Sequence, residues 1–250
     1  MMSVESFEGN YGKYYDLLYS DKDYRIEAAY IKSLINQYTP NAVFILEYGC
    51  GTGNHGIILN QFGFSVFGLD NSAYQIAVAK SKGLSCEVAD IVNFELNKKF
   101  DVCIALFHVI GYMNSNDQVI KAFNNANRHL VAGGIFIFDT WFTPAVLTSI
   151  PSFREKRVED AEVEIVRTTK PSMDFASNLV RIHFEFTITR KSDGYTNSFE
   201  EIHRMRHFGI PEVDLIAKQT GFEVKRVEEF GSLRPPSDKS WGVNFVLQKL

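Results

Sequence analysis

The chain has 250 residues, 45% of them hydrophobic, and 26 Lys and Arg against 30 Asp and Glu give a formal net charge of −4. That is enough chain for one sizeable core with a small appendage, and the mildly acidic balance excludes a global electrostatic pull toward nucleic acid or an anionic membrane. No apolar run approaches the ~20 residues of a membrane span, the opening MMSVESFEGN has no signal-peptide core, and Cys50, Cys86 and Cys103 fit no zinc spacing and read as buried reduced thiols, so a cytoplasmic protein is expected.

Residues 5–20 predict a helix carrying Tyr11, Tyr14, Tyr15 and Tyr19, whose rings pack as readily as they bind. Ser20 or Asp21 caps a second helix, in which Ile26, Ala29, Tyr30, Ile31, Leu34 and Ile35 form an apolar stripe. Val43–Leu46 is the apolar run of one buried parallel strand. Glu47 closes it, and Gly49, Gly51 and Gly53 follow. Glycines let a ligand lie against the main chain, here at the carboxyl end of a strand, where open α/β sheets bind ligands. The spacing G-x-G-x-G departs from the dinucleotide fingerprint G-x-G-x-x-G. A carboxylate two residues before the first glycine suits an amine-bearing ligand better than a pyrophosphate. Phe64–Asp70 is a second run ending in an acid able to accept both hydroxyls of a ribose. Cys86–Ile91 brings Asp90 to a third strand tip, and Phe100–Leu106 is a fourth strand.

Strands at 43–48, 64–70, 84–88, 100–106 and 134–139 thus alternate with helices at 54–62, 72–82 and 116–131, with a turn over Val131–Gly134, and this implies a parallel sheet with right-handed crossovers. Past Pro151 the period becomes two, over 162–170, 178–190 and 195–208. Val180, Ile182, Phe184, Phe186 and Ile188 fall on one face, and Arg181 and His183 on the other. In the last of these stretches Glu201, His203, Met205 and His207 share a face opposite Arg204 and Arg206. Ser192-Asp-Gly194 is a hairpin turn. Residues 151–210 therefore read as a three-stranded antiparallel insertion, too small to be a domain of its own. It lies between a core of 1–150 and that core's completion in 211–250, a helix over 211–220 and strands over 222–227 and 241–248.

Glu47-Tyr-Gly-Cys-Gly-Thr-Gly53 resembles the first motif of the class I S-adenosylmethionine (AdoMet) methyltransferases, and Asp70, Asp90 and Phe100–Leu106 resemble that family's later motifs in order. The resemblance implies a Rossmann-like α/β fold, a seven-stranded, mostly parallel sheet with the small antiparallel insertion, and AdoMet as cofactor. It places Tyr15, Tyr24, Glu47, Gly49, Gly51 and Gly53 around the cofactor, with Asp70, Asn71, Asp90, Ile91 and Leu106; Glu47 would face its ammonium, directly or through water. A closer resemblance, through most of the chain, is to N-methyltransferases of nucleotide-linked amino sugars. It rests on Tyr15–Tyr19, Lys22-Asp-Tyr24 and Glu27, on Phe107–Tyr112, on Asp139–Pro144 and on Glu201-Ile-His203. The chain departs from that pattern at Glu47, where the acid is often Asp, and at His108 and Val109, where small hydroxyl residues are usual.

Methyl transfer from a sulfonium is an in-line displacement governed by positioning, and an amine that arrives protonated needs a base. The candidates are His108, just past the fourth strand, as that base, and Tyr19 to orient the amine or close over the cofactor. Tyr112, Trp141 and His203 are candidates for the acceptor, and Arg181 and Arg204, with Arg190 and Arg206 behind them, for a diphosphate. The leading reading is an AdoMet-dependent methyltransferase acting on the amino group of a dTDP-linked amino-deoxy sugar, with no nucleic-acid, membrane or metal partner and room for a homodimer. The alternatives are another small amine or hydroxyl acceptor, or an AdoMet-binding protein without catalysis.

Overall fold

The computed structural model describes residues 10–250; residues 5–9 of the predicted leading helix lie outside the described residues. Helix α1 (Asn10–Leu18) is followed by α2 (Tyr24–Tyr38). Asp23, not Ser20 or Asp21, caps α2: its carboxylate accepts the N–H groups of Arg25 and Ile26, orphan donors of the first turn. The Ser20 hydroxyl instead donates to the Leu17 carbonyl, and Asp21 pairs with Lys156. The buried stripe of α2 is Ala28, Tyr30, Ile31, Leu34 and Ile35, with Ile26 67% exposed.

The expected alternation follows: β1 (Phe44–Tyr48), α3 (Asn54–Gln61), β2 (Ser65–Asp70), α4 (Ala73–Ser81), β3 (Ser85–Val88), β4 (Phe100–Ala105), a 3-10 turn at Val109–Tyr112, α5 (Asn116–His129) and β5 (Leu130–Trp141). The stretch Val131–Gly134, expected as a turn, belongs to β5. Next come α6 (Thr143–Thr148), β6 (Arg154–Glu159), β7 (Val163–Asp174), β8 (Leu179–Arg190), β9 (Thr196–Arg206), α7 (Ile210–Gln219), β10 (Phe222–Glu229) and β11 (Gly242–Lys249).

Seven strands form one sheet in the order β10-β11-β5-β4-β1-β2-β3. The pairs from β5 to β3 are parallel, and β11 runs antiparallel to both β5 and β10. Apolar side chains cover both faces. Leu46, Phe123, Phe136 and Phe222 lie in the cluster on one side, and Ile31, Ile45, Val66 and Ile104 in that on the other, as a parallel sheet between helices requires. Chain order reverses between β1 and β4, so their carboxyl ends diverge into a crevice, the usual place for a ligand in such sheets.

The insertion is a separate antiparallel sheet of four strands, β6-β7-β8-β9, not three. The added strand reads REKRVE, and with one apolar residue in six it carries no alternation to find. Ile165, Val180, Phe184, Phe186 and Met205 on the sheet's inner face pack with Tyr11 and Leu18 of α1 and Val146 of α6. The inner face therefore roofs the crevice. No helix of the described residues is long and apolar enough to cross a membrane.

Candidate functional site

A cavity of about 510 Å³ fills the crevice beneath that roof, a volume typical of small-molecule sites. One half is framed by the loop after β1. Gly49, Gly51 and Gly53 all have left-handed φ, +60°, +53° and +82°. A Cβ on Gly49 would also stand 2.5 Å from Val109 Cγ2, so only glycine fits there. The N–H of Gly51 donates to Asp70 Oδ2 and the N–H of Ser72 to Asp70 Oδ1, each at 2.9 Å. The acid ending β2 is thereby fixed by the glycine loop itself. Burial pushes its pKa up, against the pull of those two N–H groups. Asp90 accepts the Val92 N–H at 2.9 Å, turning the chain after β3 so that Asp90 and Ile91 reach the cavity. Tyr15, Tyr24, Asn71 and Leu106 complete this wall.

Glu47 and Gly53 do not line the cavity. Gly53 is the left-handed N-cap of α3. Glu47 is 2% exposed, beneath Gly56 in the first turn of α3. Burial first, and then the charge of Asp70, push its pKa up to about 8. The carboxyl lies behind the loop and not on the cavity wall itself. Sequence reading missed Gln75, which lines the cavity 1% exposed, its Oε1 and Nε2 buried without a partner. Buried amides are ordinarily hydrogen-bonded. A backbone cradle, a fixed carboxylate and an unsatisfied amide along one wall fit the adenosine and amino-acid parts of AdoMet.

The other half is built from side chains. Phe107 and His108 are consecutive left-handed residues, φ +66° and +64°, a conformation that costs about 1–2 kcal/mol per residue outside glycine. Asp139, 2% exposed near the end of β5, holds the bend. Its Oδ1 accepts the His108 N–H at 3.3 Å and its Oδ2 lies 2.6 Å from Nδ1 of the ring. Burial would raise the pKa of Asp139, but His108 outweighs it and leaves the carboxyl below its ordinary value. With Nδ1 in ion-pair contact with the carboxylate, Nε2 is the ring nitrogen left for a ligand, and His108 lines the cavity.

Facing it, Tyr112 Oη lies 2.8 Å from His203 Nδ1, and His203 Nε2 lies 3.2 Å from Glu201 Oε2. This is a second carboxylate–imidazole pair, and it presents the Tyr112 hydroxyl, whose pKa burial raises, to the cavity. Tyr19 and Trp141 stand on the same wall. Arg181 and Arg204 are not brought to the site. They are register partners on the exposed outer face of the insertion, whereas Ile182, Phe184, His203 and Met205 of the inner face line the cavity. Arg190 pairs with Asp193. Arg206, expected beside Arg204 on the outer face, turns inward at the end of β9 and binds Asn116 and Glu212.

A methyltransferase-domain family profile matches residues 45–134, the stretch holding the glycine loop, Asp70, Asp90 and the His108 bend. The chain is 26% identical over 208 residues, 81% of its length and 79% of the relative's, to a dTDP-3-amino-3,6-dideoxy-alpha-D-glucopyranose N,N-dimethyltransferase of Streptomyces fradiae. Its fold superposes on the crystal structure of Streptomyces venezuelae DesVI with a TM-score of 0.82 at 24% identity, covering 97% of this chain and 100% of that one. It superposes on SAM-bound CalS10, an amino pentose methyltransferase from Micromonospora echinaspora, with a TM-score of 0.75 at 20% identity, covering 100% and 99%. These likenesses establish a shared fold.

Proposed function

We propose that this chain is an AdoMet-dependent methyltransferase of Rossmann-like fold that methylates the amino group of a dTDP-linked amino-deoxy sugar, a reading supported by the methyltransferase-domain match over residues 45–134. The observation that carries the reading is the His108–Asp139 pair, a carboxylate-backed imidazole at the wall where cofactor and acceptor halves meet. An amine nucleophile needs such a group only when it arrives as an ammonium, as an aliphatic amino sugar does near neutral pH. The relative from Streptomyces fradiae supports the sugar class, since its name specifies a dTDP-linked 3-amino sugar.

When bound, AdoMet supplies a methyl group on a positively charged sulfur, open to in-line attack. The chain's residues do the rest. Gly49 and Gly51 would give the cofactor main-chain contact, and Asp70, held by the Gly51 N–H, and Gln75 would hold its polar groups. Tyr19 and Tyr112 hold the acceptor at the opposite wall, with Tyr112 braced by His203. His108 Nε2 takes the ammonium proton, and the imidazolium so formed is stabilised by Asp139. The amine then presents its lone pair along the attack line.

The test is methyl transfer from labelled AdoMet to a panel of dTDP-linked 3-amino and 4-amino sugars, read by mass, with His108→Ala run alongside. A gain of one or two methyl groups that collapses in His108→Ala while AdoMet binding persists is the expected result. Transfer to no amino sugar by a protein that binds AdoMet overturns the sugar reading.

A further inference from the structure

The insertion's outward arginines are ordinary surface charges, but two cations of its inner face, Lys156 and Arg167, are of another kind. One row across the sheet runs Lys156, Arg167, Phe186, Phe199, each the register partner of the next. The Arg167 guanidinium stacks 4.9 Å from the centroid of Phe184 and donates from Nη1 to the Tyr19 hydroxyl at 3.3 Å. Both of those residues line the cavity, so the guanidinium stands at its edge. Nε of Arg167 is buried without an acceptor. Arg157, Arg190 and Arg206 of the same sheet each pair with a carboxylate; among the described residues no carboxylate forms an ion pair with Arg167. Lys156 lies 5.7 Å from the Tyr19 ring centroid and is held by both oxygens of Asp21 at 2.9 Å. The one carboxylate paired at this point of the rim, Asp21, is therefore taken by Lys156, and Nη1 to the Tyr19 hydroxyl is the guanidinium's one hydrogen bond among the described residues. A sheltered donor without an acceptor is costly, and a planar fork of donors matches phosphate oxygens two at a time.

We propose that Arg167, backed by Lys156, is an anion subsite at the rim of the cavity and takes the diphosphate of a nucleotide-linked acceptor. The inference rests on the acceptor class proposed above and gives it a point of attachment. With the diphosphate clamped between Arg167 and the Tyr19 hydroxyl, the sugar reaches inward past Phe184 toward Tyr112 and His108.

Calorimetric titration of the full chain with dTDP, thymidine, inorganic pyrophosphate and AdoMet tests it. The expected result is that dTDP binds tighter than thymidine and that Arg167→Gln weakens dTDP by about 10–100-fold, the loss of one charge-assisted contact. Thymidine and AdoMet affinities stay unchanged, Arg167→Lys recovers part of the loss, and Lys156→Gln loses less. Unchanged AdoMet affinity also certifies that the variants fold. Equal dTDP affinity in Arg167→Gln and parent overturns the subsite, as does a parent that binds AdoMet but neither dTDP nor pyrophosphate. Arg167-dependent binding of pyrophosphate, with dTDP no tighter, keeps the subsite and removes thymidine from the acceptor.

Discussion

One half of the cavity is framed by a glycine loop whose backbone sets the positions of the side chains around it, and the other is held together largely by side chains. On the first side the main chain of Gly49 and Gly51 shapes the wall, and backbone N–H groups fix Asp70. On the second, Asp139 sets His108, Glu201 and His203 set Tyr112, and Tyr19 meets Arg167 from a strand nearly 150 residues away. A backbone cradle tolerates almost no change at its glycines and wide change elsewhere. A wall of interlocking side chains can be retuned one residue at a time. The glycine-loop side is thus the less tolerant of substitution and the side-chain wall the more adjustable.

The hardest blow to that contrast would be a tolerant glycine loop. Gly49→Ala combines a left-handed residue with a Cβ inside contact distance of Val109, and a strain of about 1–2 kcal/mol plus the clash should cost AdoMet roughly 10–100-fold or more in affinity. Near-parent affinity by titration calorimetry would show that the loop is not the cradle.

Glu47 tests whether a buried acid behind the loop serves the fold or the ligand. Its folded pKa of about 8 lies above the ordinary value of 4.5. The stability it contributes is therefore complete below 4.5 and is lost as pH rises through about 8, because the folded state binds the extra proton. Glu47→Gln does not titrate. Its Tm, relative to the parent without cofactor, should climb between about pH 4.5 and 8 and then level off. Its AdoMet affinity should fall far less than that of Gly49→Ala. A pH-independent Tm difference, or a large affinity loss, would move Glu47 from scaffold to ligand contact.

The smallest effect is expected on the outer face. Arg181→Ala and Arg204→Ala should leave turnover and acceptor KM unchanged and stability within about 0.5 kcal/mol, as for solvated charges away from any site. A raised KM would bring the outer face back into acceptor binding.

The same contrast explains what was legible in the sequence. Gly49, Gly51, Asp70 and Asp90 stand at the ends of apolar runs, so a strand and its tip could be read together, and the parallel core emerged nearly element for element. The side-chain wall depends on register. Asp139 reaches His108 across all of α5, and no local pattern joins them. Arg167 sits in a stretch whose alternation was visible, but which face looked inward depended on how β7, β8 and β9 align over α1. Two arginines were read toward a ligand for their chemistry alone, and the pleat turned them to water.

The outermost strand of the insertion has a consequence beyond the cavity. Among the described residues β6 pairs with β7 on one side only, which leaves a row of backbone groups of the kind that seeds edge-to-edge aggregation. Five of its six side chains, Arg154, Glu155, Lys156, Arg157 and Glu159, are charged. A neighbouring molecule that docked against this edge would have to strip water from the exposed ones among them, Arg154, Glu155, Arg157 and Glu159. The composition that hid the strand from pattern reading is also one that disfavours edge-to-edge pairing between copies at this strand.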